Sequence, residues 1–135
     1  MKTYVLDSSG LMAFFEDRPG AGKIKDLLSQ AAEVNHPLLM PVINWGEVYY
    51  SVWRTAGEKI AAAKLREIAQ LPITIVDVDK DLTRLAARLK AEHNLPYADC
   101  FVAALALDRN ATLVTADKDF ERVAKLIRLL WVSDC

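Results

Sequence analysis

The sequence predicts an α/β fold, a three-layer α/β/α sandwich with a central, mainly parallel sheet of about five strands. Short apolar runs alternate along the chain with longer segments of helical periodicity, and strands separated by helices favour a parallel sheet covered on both faces. Apolar residues make up 53% and charged residues 26% of the chain, which is typical of globular proteins. The length of 135 residues fits one domain, which we expect to span 1–135.

The chain begins with a predicted strand and two predicted helices. Residues 2–6 form a short apolar run, and the three residues after it, Asp7-Ser8-Ser9, offer helix-capping side chains. We expect a short helix over 10–16, stopped by a Pro-Gly turn, and a second helix over 22–34. One face of the second helix is apolar at helical spacing, with Ile24, Leu27, Leu28 and Ala31.

A buried strand and two further helices follow. Residues 38–40 are apolar and lie between two prolines, which predicts a short buried strand. Asn44 is expected to cap a helix running to about Thr55, with Glu47 at the far end of a capping-box pattern. Residues 58–71 are amphipathic and stop at a proline. The expected inner face of that helix consists of Ala61, Leu65, Ile68 and Ala69.

The alternation continues to the end of the chain. Residues 73–76 are rich in β-branched side chains and predict a strand, and Asp79 caps the helix that follows as far as Asn94. Residues 97–109 are apolar nearly all round, which predicts a buried helix. The remaining elements are a strand over 111–115, a short helix over 118–125 and a strand over 129–132.

Charge and cysteine content limit the class of protein. The net charge of −1 and the pI of about 6.1 are not those of a generally basic nucleic-acid binder, so a polyanion would need local bases and a metal ion. Cys100 is expected to be a small buried residue, and Cys135, the last residue, does not suggest a disulfide framework. The longest apolar run, residues 100–107, is far shorter than a membrane span, and no signal peptide is visible. A cytoplasmic location is therefore expected.

Four acids occupy a distinctive pattern. Asp7 and Asp117 follow predicted strands, whereas Glu47 and Asp99 lie near the starts of predicted helices. Each one alone is compatible with a capping or first-turn role. The carboxyl ends of parallel strands form the crevice where ligands bind, and carboxylates gathered there would repel one another without a cation. The pattern therefore favours a site for Mg²⁺ or Mn²⁺, which prefer oxygen ligands.

The surroundings of two acids strengthen this interpretation. Asp99 enters an apolar helix with no base near it in the sequence, and an isolated buried charge is costly. Glu47 shares a helix face with Tyr50, Ser51 and Arg54, a more polar face than the rest of that helix. Other chemistries lack support, because both histidines lie in helix-ending segments that adjoin prolines and no Walker A loop is present.

Four segments carry a resemblance to a known family. They are Val5-Leu-Asp-Ser-Ser9, Asn44-Trp-Gly-Glu47, Leu95-Pro-Tyr-Ala-Asp99 and Leu113-Val-Thr-Ala-Asp-Lys-Asp-Phe120. In this order and spacing the chain resembles the PIN-domain nucleases, and more narrowly the VapC toxins of prokaryotic toxin–antitoxin pairs. The resemblance covers almost the whole chain and implies a parallel α/β sandwich.

The resemblance also implies roles for individual residues. The acidic, metal-binding site would consist of Asp7, Glu47, Asp99 and Asp117. Thr115 would support it, with Ser8 and Asp119 as secondary candidates. Cys100 stands where a small residue is usual in the family, and Trp45 is bulkier than many counterparts, so both leave substrate choice open.

The activity expected from the resemblance is Mg²⁺- or Mn²⁺-dependent cleavage of RNA by an activated water. Candidate contacts to the RNA phosphates are Arg54, Lys118 and Arg122. The expected partners are a cognate antitoxin protein and a second copy of the chain, because the helices around residues 45–53 and 60–69 offer more apolar surface than one small sheet needs.

Two alternatives remain open at the level of sequence. A phosphoryl-handling domain of the receiver or haloacid-dehalogenase type would also place acids at strand ends. It would require further side chains that the sequence lacks, such as an acid where Ser9 stands. A non-catalytic PIN interaction domain is the other alternative, and it is disfavoured because all four acids are present.

Overall fold

A five-stranded, fully parallel sheet forms the centre of the protein, as the computed structural model shows for residues 2–132. The strands are β1 (Tyr4–Leu6), β2 (Leu38–Pro41), β3 (Ile73–Val76), β4 (Thr112–Thr115) and β5 (Leu129–Trp131). Their order across the sheet is β3-β2-β1-β4-β5. The predicted fold class is confirmed, because every predicted strand is present and pairs in parallel. The C-terminal Cys135 lies outside the described residues.

Six α-helices and one 3₁₀ helix connect the strands within residues 2–132. They are α1 (Ser8–Phe15), α2 (Ala21–Glu33), α3 (Val42–Ala56), α4 (Glu58–Ala69), α5 (Lys80–His93), α6 (Tyr97–Asp108) and the 3₁₀ helix Lys118–Val123. Asp79 caps α5 as predicted, since its side chain accepts a hydrogen bond from the backbone N–H of Leu82 at 2.8 Å. None of the helices in the described part of the chain has the length and apolar character needed to span a membrane.

The pleat of the strands divides the core into two layers. Neighbouring residues of one strand point to opposite faces of the sheet, so Val5 packs with α5 and α6 whereas Leu6 packs with α1 to α4. The predicted burial of the apolar helix α6 is confirmed, because its residues from Asp99 to Ala106 are all buried. The helices therefore cover both faces of the sheet, as a parallel sheet requires.

The order of the strands determines where a ligand site can form. From the central β1 the chain passes to β2 and β3 on one side, and β4 and β5 lie on the other. The β1–β4 pair is thus the point where the strand order reverses, and ligands of open α/β sheets bind outside the carboxyl ends of the strands at such a point. Leu6 pairs with Val114 in the register, so the residues that follow, Asp7 and Thr115, meet at this edge.

Two details of the helices differ from the sequence prediction. Asn44 is not an N-cap, because α3 begins directly after β2 at Val42 and Pro41 occupies the capping position without a side-chain hydrogen bond. Asn44 consequently lies inside the first turn and is fully buried. Ala69 was expected on the inner face of α4, but it is exposed, because α4 ends at that residue and only Ala61 and Ile68 of this helix are buried.

The turn between α1 and α2 depends on a glycine. Gly20 has φ of 96°, and a Cβ atom added there would lie 2.0 Å from the carbonyl oxygen of Val132 after β5. We expect Gly20→Ala to destabilise the protein by at least about 2 kcal/mol, since backbone strain and the steric clash act together. Thermal or urea unfolding measures this. Gly22→Ala is the matched control, because a Cβ there meets nothing within 4 Å and alanine favours the helix. Equal stability of the two variants would contradict the prediction.

Candidate acidic active site

Asp7 is the acid most firmly fixed at the carboxyl edge of the sheet. It is 2% exposed and caps α1, where its Oδ1 accepts the backbone N–H of Gly10 at 2.8 Å. Its Oδ2 accepts the hydroxyl of Thr115 at 2.5 Å, and the hydroxyl of Ser9 lies 2.9 Å from both oxygens. The capping role considered for Asp7 is therefore real, but it occupies only part of a larger network.

This network joins the ends of β1 and β4. The hydroxyl oxygen of Ser9 accepts the backbone N–H of Ala116 at 3.1 Å, and that of Thr115 accepts the N–H of Asp117 at 2.9 Å. Each hydroxyl thus receives one hydrogen bond from the loop after β4 and donates one to Asp7. The loop that carries Asp117 is held against Asp7 by side chains, which fixes the two acids relative to each other.

Asp99 is buried in the first turn of α6. Its side chain points inward at 8% exposure, and its Oδ2 has no hydrogen-bond partner among the residues that the structure describes. A buried carboxylate oxygen without a donor costs several kcal/mol if charged. The helix N-terminus favours a negative charge at this position but supplies no direct partner.

Asp117 and Asp119 complete the group closest to Asp99. One carboxylate oxygen from each of these three residues lies within 4.8 Å of the others. Asp117 also caps the 3₁₀ helix by accepting the N–H of Asp119 at 2.9 Å. Asp119, a secondary candidate at the level of sequence, thus belongs to this group together with Asp99 and Asp117.

Glu47 lies beside this group and is held by two donors on one oxygen. Its Oε1 accepts the hydroxyl of Ser8 at 3.0 Å and the side-chain amide of Asn44 at 3.0 Å. The same amide lies 3.4 Å from the carbonyl oxygen of Ala98, so it links α3 to the first turn of α6. Ser8, a secondary candidate at the level of sequence, thus contacts one of the four acids directly.

The acids perturb one another electrostatically. Burial raises the pKa of Asp7 to about 6, with hydrogen bonds from Thr115, Gly10 and Ser9 acting in the opposite direction. Burial, followed by the negative charges of Asp117, Asp7 and Glu47, raises the pKa of Asp99 to about 8. All four acids of the sequence pattern therefore lie within electrostatic reach of one site. Without a cation, Asp99 therefore keeps its proton at neutral pH, whereas Asp7 is mostly ionised there.

The donor set suits a hard divalent cation. Carboxylate oxygens are the ligands that Mg²⁺ and Mn²⁺ prefer, and three of them converge within 4.8 Å. The buried Oδ2 of Asp99 lacks a donor among the described residues, and a cation at this point would supply the missing positive charge. The residues present therefore fit a metal of this class.

The three basic residues expected to contact phosphates lie at different positions relative to the acidic group. Arg122 donates to the carbonyl oxygen of Asn94 at 2.9 Å and lies 3.8 Å from the carboxylate of Asp119, so it borders the acidic group. Lys118 is exposed at the start of the 3₁₀ helix. Arg54 lies two turns along α3 from Glu47 and stacks on Tyr50, with its Cζ 5.9 Å from the ring centroid.

Two site residues were not predicted in their actual roles. Ser9 was expected only to cap a helix, yet its hydroxyl joins Asp7 to the loop after β4. Asn44 was expected as an N-cap, yet its amide positions Glu47 from inside α3. A signal for Asn44 was present, because an asparagine three residues before an acid on a helix shares its face. The role of Ser9 depends on the contact between β1 and β4, which local sequence does not specify.

Solved structures of similar fold come from several organisms, whereas no curated protein matches the chain in sequence. VapBC2 from Rickettsia felis, bound to a DNA fragment from its promoter, is 22% identical with a TM-score of 0.73, and covers 95% of this chain and 97% of its own. A toxin–antitoxin complex from Klebsiella pneumoniae is 21% identical with a TM-score of 0.67 over 100% of both chains. VapC20 from Mycobacterium tuberculosis, a toxin that cleaves the sarcin-ricin loop, is 16% identical with a TM-score of 0.63, and covers 93% of this chain and 96% of its own.

The family assignment rests on a separate comparison. The model of the family described as PIN domain matches residues 4–126. This range includes the first four strands, β1 to β4, and it also includes every acid of the candidate site. The chain belongs to the PIN domain family.

Proposed function

We propose that the protein is a Mg²⁺- or Mn²⁺-dependent endoribonuclease and the toxin of a toxin–antitoxin pair. The observation that carries the proposal is the buried, unpartnered Oδ2 of Asp99 beside the carboxylates of Asp117 and Asp119, at the carboxyl edge of a PIN-domain sheet. The toxin from Mycobacterium tuberculosis, which has a similar fold, cleaves the sarcin-ricin loop, and this supports a nuclease function.

The residues that would hold the metal are Asp7, Asp99 and Asp117, with Glu47 and Asp119 adjacent to them. A bound Mg²⁺ or Mn²⁺ supplies Lewis-acid stabilisation of the charge that develops on phosphate oxygens and makes water more acidic. Asp99 has the least compensated carboxylate of the set, because no donor among the described residues reaches its Oδ2. Asp7 is held by four donor contacts and so fixes the position of the site relative to the sheet.

Glu47 is suited to orient the attacking water. Both hydrogen bonds from described residues, those of Ser8 and Asn44, fall on Oε1, so Oε2 is the oxygen that can accept from a water. The water attacks phosphorus in line, its oxygen forms the new P–O bond, and the bond from phosphorus to the 3′ oxygen breaks. The proton that the water loses passes by way of Glu47 to solvent, and the 3′ oxygen takes up a proton from solvent. No covalent enzyme intermediate is required. Thr115 and Ser9 hold the loop of Asp117 in place, and Arg122, Lys118 and Arg54 offer positive charge for the RNA backbone.

A cleavage assay tests the proposal. The purified protein should cleave RNA with Mg²⁺ or Mn²⁺ and should lose the activity in EDTA. Asp7→Asn should reduce the rate at least about 100-fold, because loss of even an outer partner of a metal ligand costs 10- to 100-fold. Cleavage that persists without metal, or full activity in Asp7→Asn, would reject the mechanism. If the protein cuts no RNA under any of these conditions, the alternative of a non-catalytic PIN interaction domain gains support.

The proposed partner is an antitoxin protein, and the proposed location is the cytoplasm. The solved complexes from Rickettsia felis and Klebsiella pneumoniae motivate this partner, since the second is described as a toxin–antitoxin complex. Expression of the chain alone should arrest growth, and coexpression of a small protein encoded beside its gene should relieve the arrest. Growth that is unaffected by the active nuclease would contradict the toxin role.

We also propose a homodimer through the outer faces of α3 and α4. Trp53 is 49% exposed and Ile60 is 46% exposed, and two large apolar side chains on adjacent helices favour a protein contact. Light scattering of the purified chain should give the mass of two copies. A mass of one copy at all concentrations would exclude this assembly, whereas Trp53→Ser should shift a real dimer toward monomer.

A further inference from the structure

One face of α3 leads away from the acidic site and carries an exposed aromatic ring. Ile43, Glu47, Tyr50 and Arg54 follow one another at spacings of four, three and four residues, so they form a single stripe along the helix. The opposite, inward stripe consists of Asn44, Val48 and Val52, all buried. Glu47 belongs to the acidic site through Ser8, and the stripe therefore extends the surface of that site along α3.

Tyr50 is exposed on this stripe and is held in place. Its side chain is 50% exposed, and the guanidinium of Arg54 lies 5.9 Å from the ring centroid. The contact places a positive charge beside the ring, and half of the side chain remains accessible to solvent. Tyr50 lies about 4.5 Å, and Arg54 about 10.5 Å, beyond Glu47 along the helix axis.

We propose that Tyr50 stacks on a base of single-stranded RNA next to the scissile phosphate, with Arg54 supporting the ring and binding a neighbouring phosphate. The inference rests on the proposed ribonuclease function and assigns Tyr50 and Arg54 to the surface that holds the RNA beside the scissile phosphate. Base faces are accessible in single strands, whereas those of a duplex are already stacked and paired. An aromatic ring beside an arginine provides the stacking surface and the positive charge that such strands require.

The stripe suits RNA better than a protein partner. The stripe begins at the acidic site with Glu47 and ends at the positively charged Arg54. A polyanion such as RNA requires positive charge beside an acidic site, and Arg54 and a bound cation would supply it. The apolar residue Trp53 lies on the adjacent stripe and is assigned to the proposed dimer. Tyr50 lies about 60° from Trp53 around the helix axis, whereas Glu47 lies about 120° from it, so the two surfaces adjoin at Tyr50 and diverge toward Glu47.

Two single-stranded probes test the role of Tyr50. One is an adenosine oligonucleotide about 12 nucleotides long, and the other is an abasic strand of equal length and charge. Binding is measured by fluorescence anisotropy in the Asp7→Asn background, so that the strand stays intact in every variant. We expect Tyr50→Leu to weaken binding of the adenosine strand about 5- to 100-fold and to leave the abasic strand unchanged, because stacking requires a base.

Two further variants separate stacking from other effects. Tyr50→Phe should bind both strands within about twofold of the parent, since the ring and not the hydroxyl is needed. Leu126→Ala removes an equally exposed apolar side chain, at 49%, from the opposite edge of the sheet and should change nothing. With Asp7 restored, Tyr50→Leu should raise KM for cleavage far more than it lowers kcat.

Each contrary outcome has a distinct meaning. If the wild type cleaves RNA and Asp7→Asn does not, but Tyr50→Leu binds the adenosine strand normally, stacking is rejected and the ribonuclease function stands. Equal weakening of both strands would likewise reject stacking, because the effect would then concern the backbone. If Tyr50→Leu binds both strands normally but no longer binds the antitoxin, the stripe is a surface for a protein partner and the inference is rejected. If the wild type neither binds nor cleaves RNA, both the inference and the proposed function fail.

Discussion

In the absence of metal, the protein should lose stability as the pH rises from about 5 to about 8. The folded-state pKa values of Asp7, about 6, and Asp99, about 8, both exceed the ordinary value of 3.8. Between the ordinary pKa of 3.8 and the folded-state pKa of each group, the native state therefore binds more protons than the unfolded state, and its stability falls as the pH rises. Between pH 6 and pH 8, where Asp99 is the principal group, we expect a loss of about 1 kcal/mol per pH unit.

The sign of this effect is opposite to the usual behaviour of paired carboxylates. An acid with a lowered pKa stabilises the folded state as the pH rises, whereas Asp99 must lose its proton among Asp117, Asp7 and Glu47. Urea unfolding in EDTA at several pH values measures the slope. A flat or rising stability over this range would show that Asp99 is already ionised at low pH and that the buried oxygen has a compensating partner.

A divalent cation should reverse the trend. Binding requires the ionised carboxylates, so metal affinity rises with pH and binding adds to the free energy of unfolding. At a metal concentration 100 times the dissociation constant, this contribution is about 2.7 kcal/mol. We expect the difference in Tm between Mn²⁺ and EDTA to be larger at pH 8 than at pH 6. An equal difference at both values would place the metal away from Asp99.

The sequence was sufficient for the fold because the local signals agree with the global topology. Short β-branched and apolar runs, such as 73–76 and 38–40, are bounded by prolines or capping residues, and the helices between them have one apolar face. The sequence of α6 is apolar nearly all round, which predicts burial, and its residues from Asp99 to Ala106 are buried in the structure. Boundaries differ where the chain turns directly from strand to helix, as at Pro41 and Val42, because no separate capping residue marks the start.

The convergence of the four acids could be predicted from the sequence, but the side chains that hold them could not. Asp7, Glu47, Asp99 and Asp117 follow strands or begin helices, positions that a parallel sheet brings to one edge. The contacts of Ser9 with Ala116 and of Asn44 with Ala98 join elements that are distant in sequence. Such contacts depend on the packing of α1 and α3 against neighbouring elements, and helical or strand periodicity contains no information about it.

The variant Asp99→Asn should change activity and stability in opposite directions. It removes a carboxylate whose Oδ2 has no partner among the described residues, so we expect the metal-free protein at pH 8 to gain about 1 to 2 kcal/mol of stability. The same change removes a proposed metal ligand and should lower the cleavage rate at least about 100-fold. The slope of stability against pH between 6 and 8 should also flatten, because Asp99 is the group that titrates there.

Asp26→Asn is the control, since Asp26 is an exposed acid on α2 and should leave the rate and the pH slope unchanged. A less stable Asp99→Asn protein that retains its pH slope would show that the carboxylate is satisfied in the folded state. An active Asp99→Asn protein would remove this residue from the metal site. Higher stability with lost activity has a direct physical meaning, because a site that gathers acids for a cation is strained until the cation binds. The buried charge of Asp99 is then retained for metal binding at the expense of stability in the metal-free state.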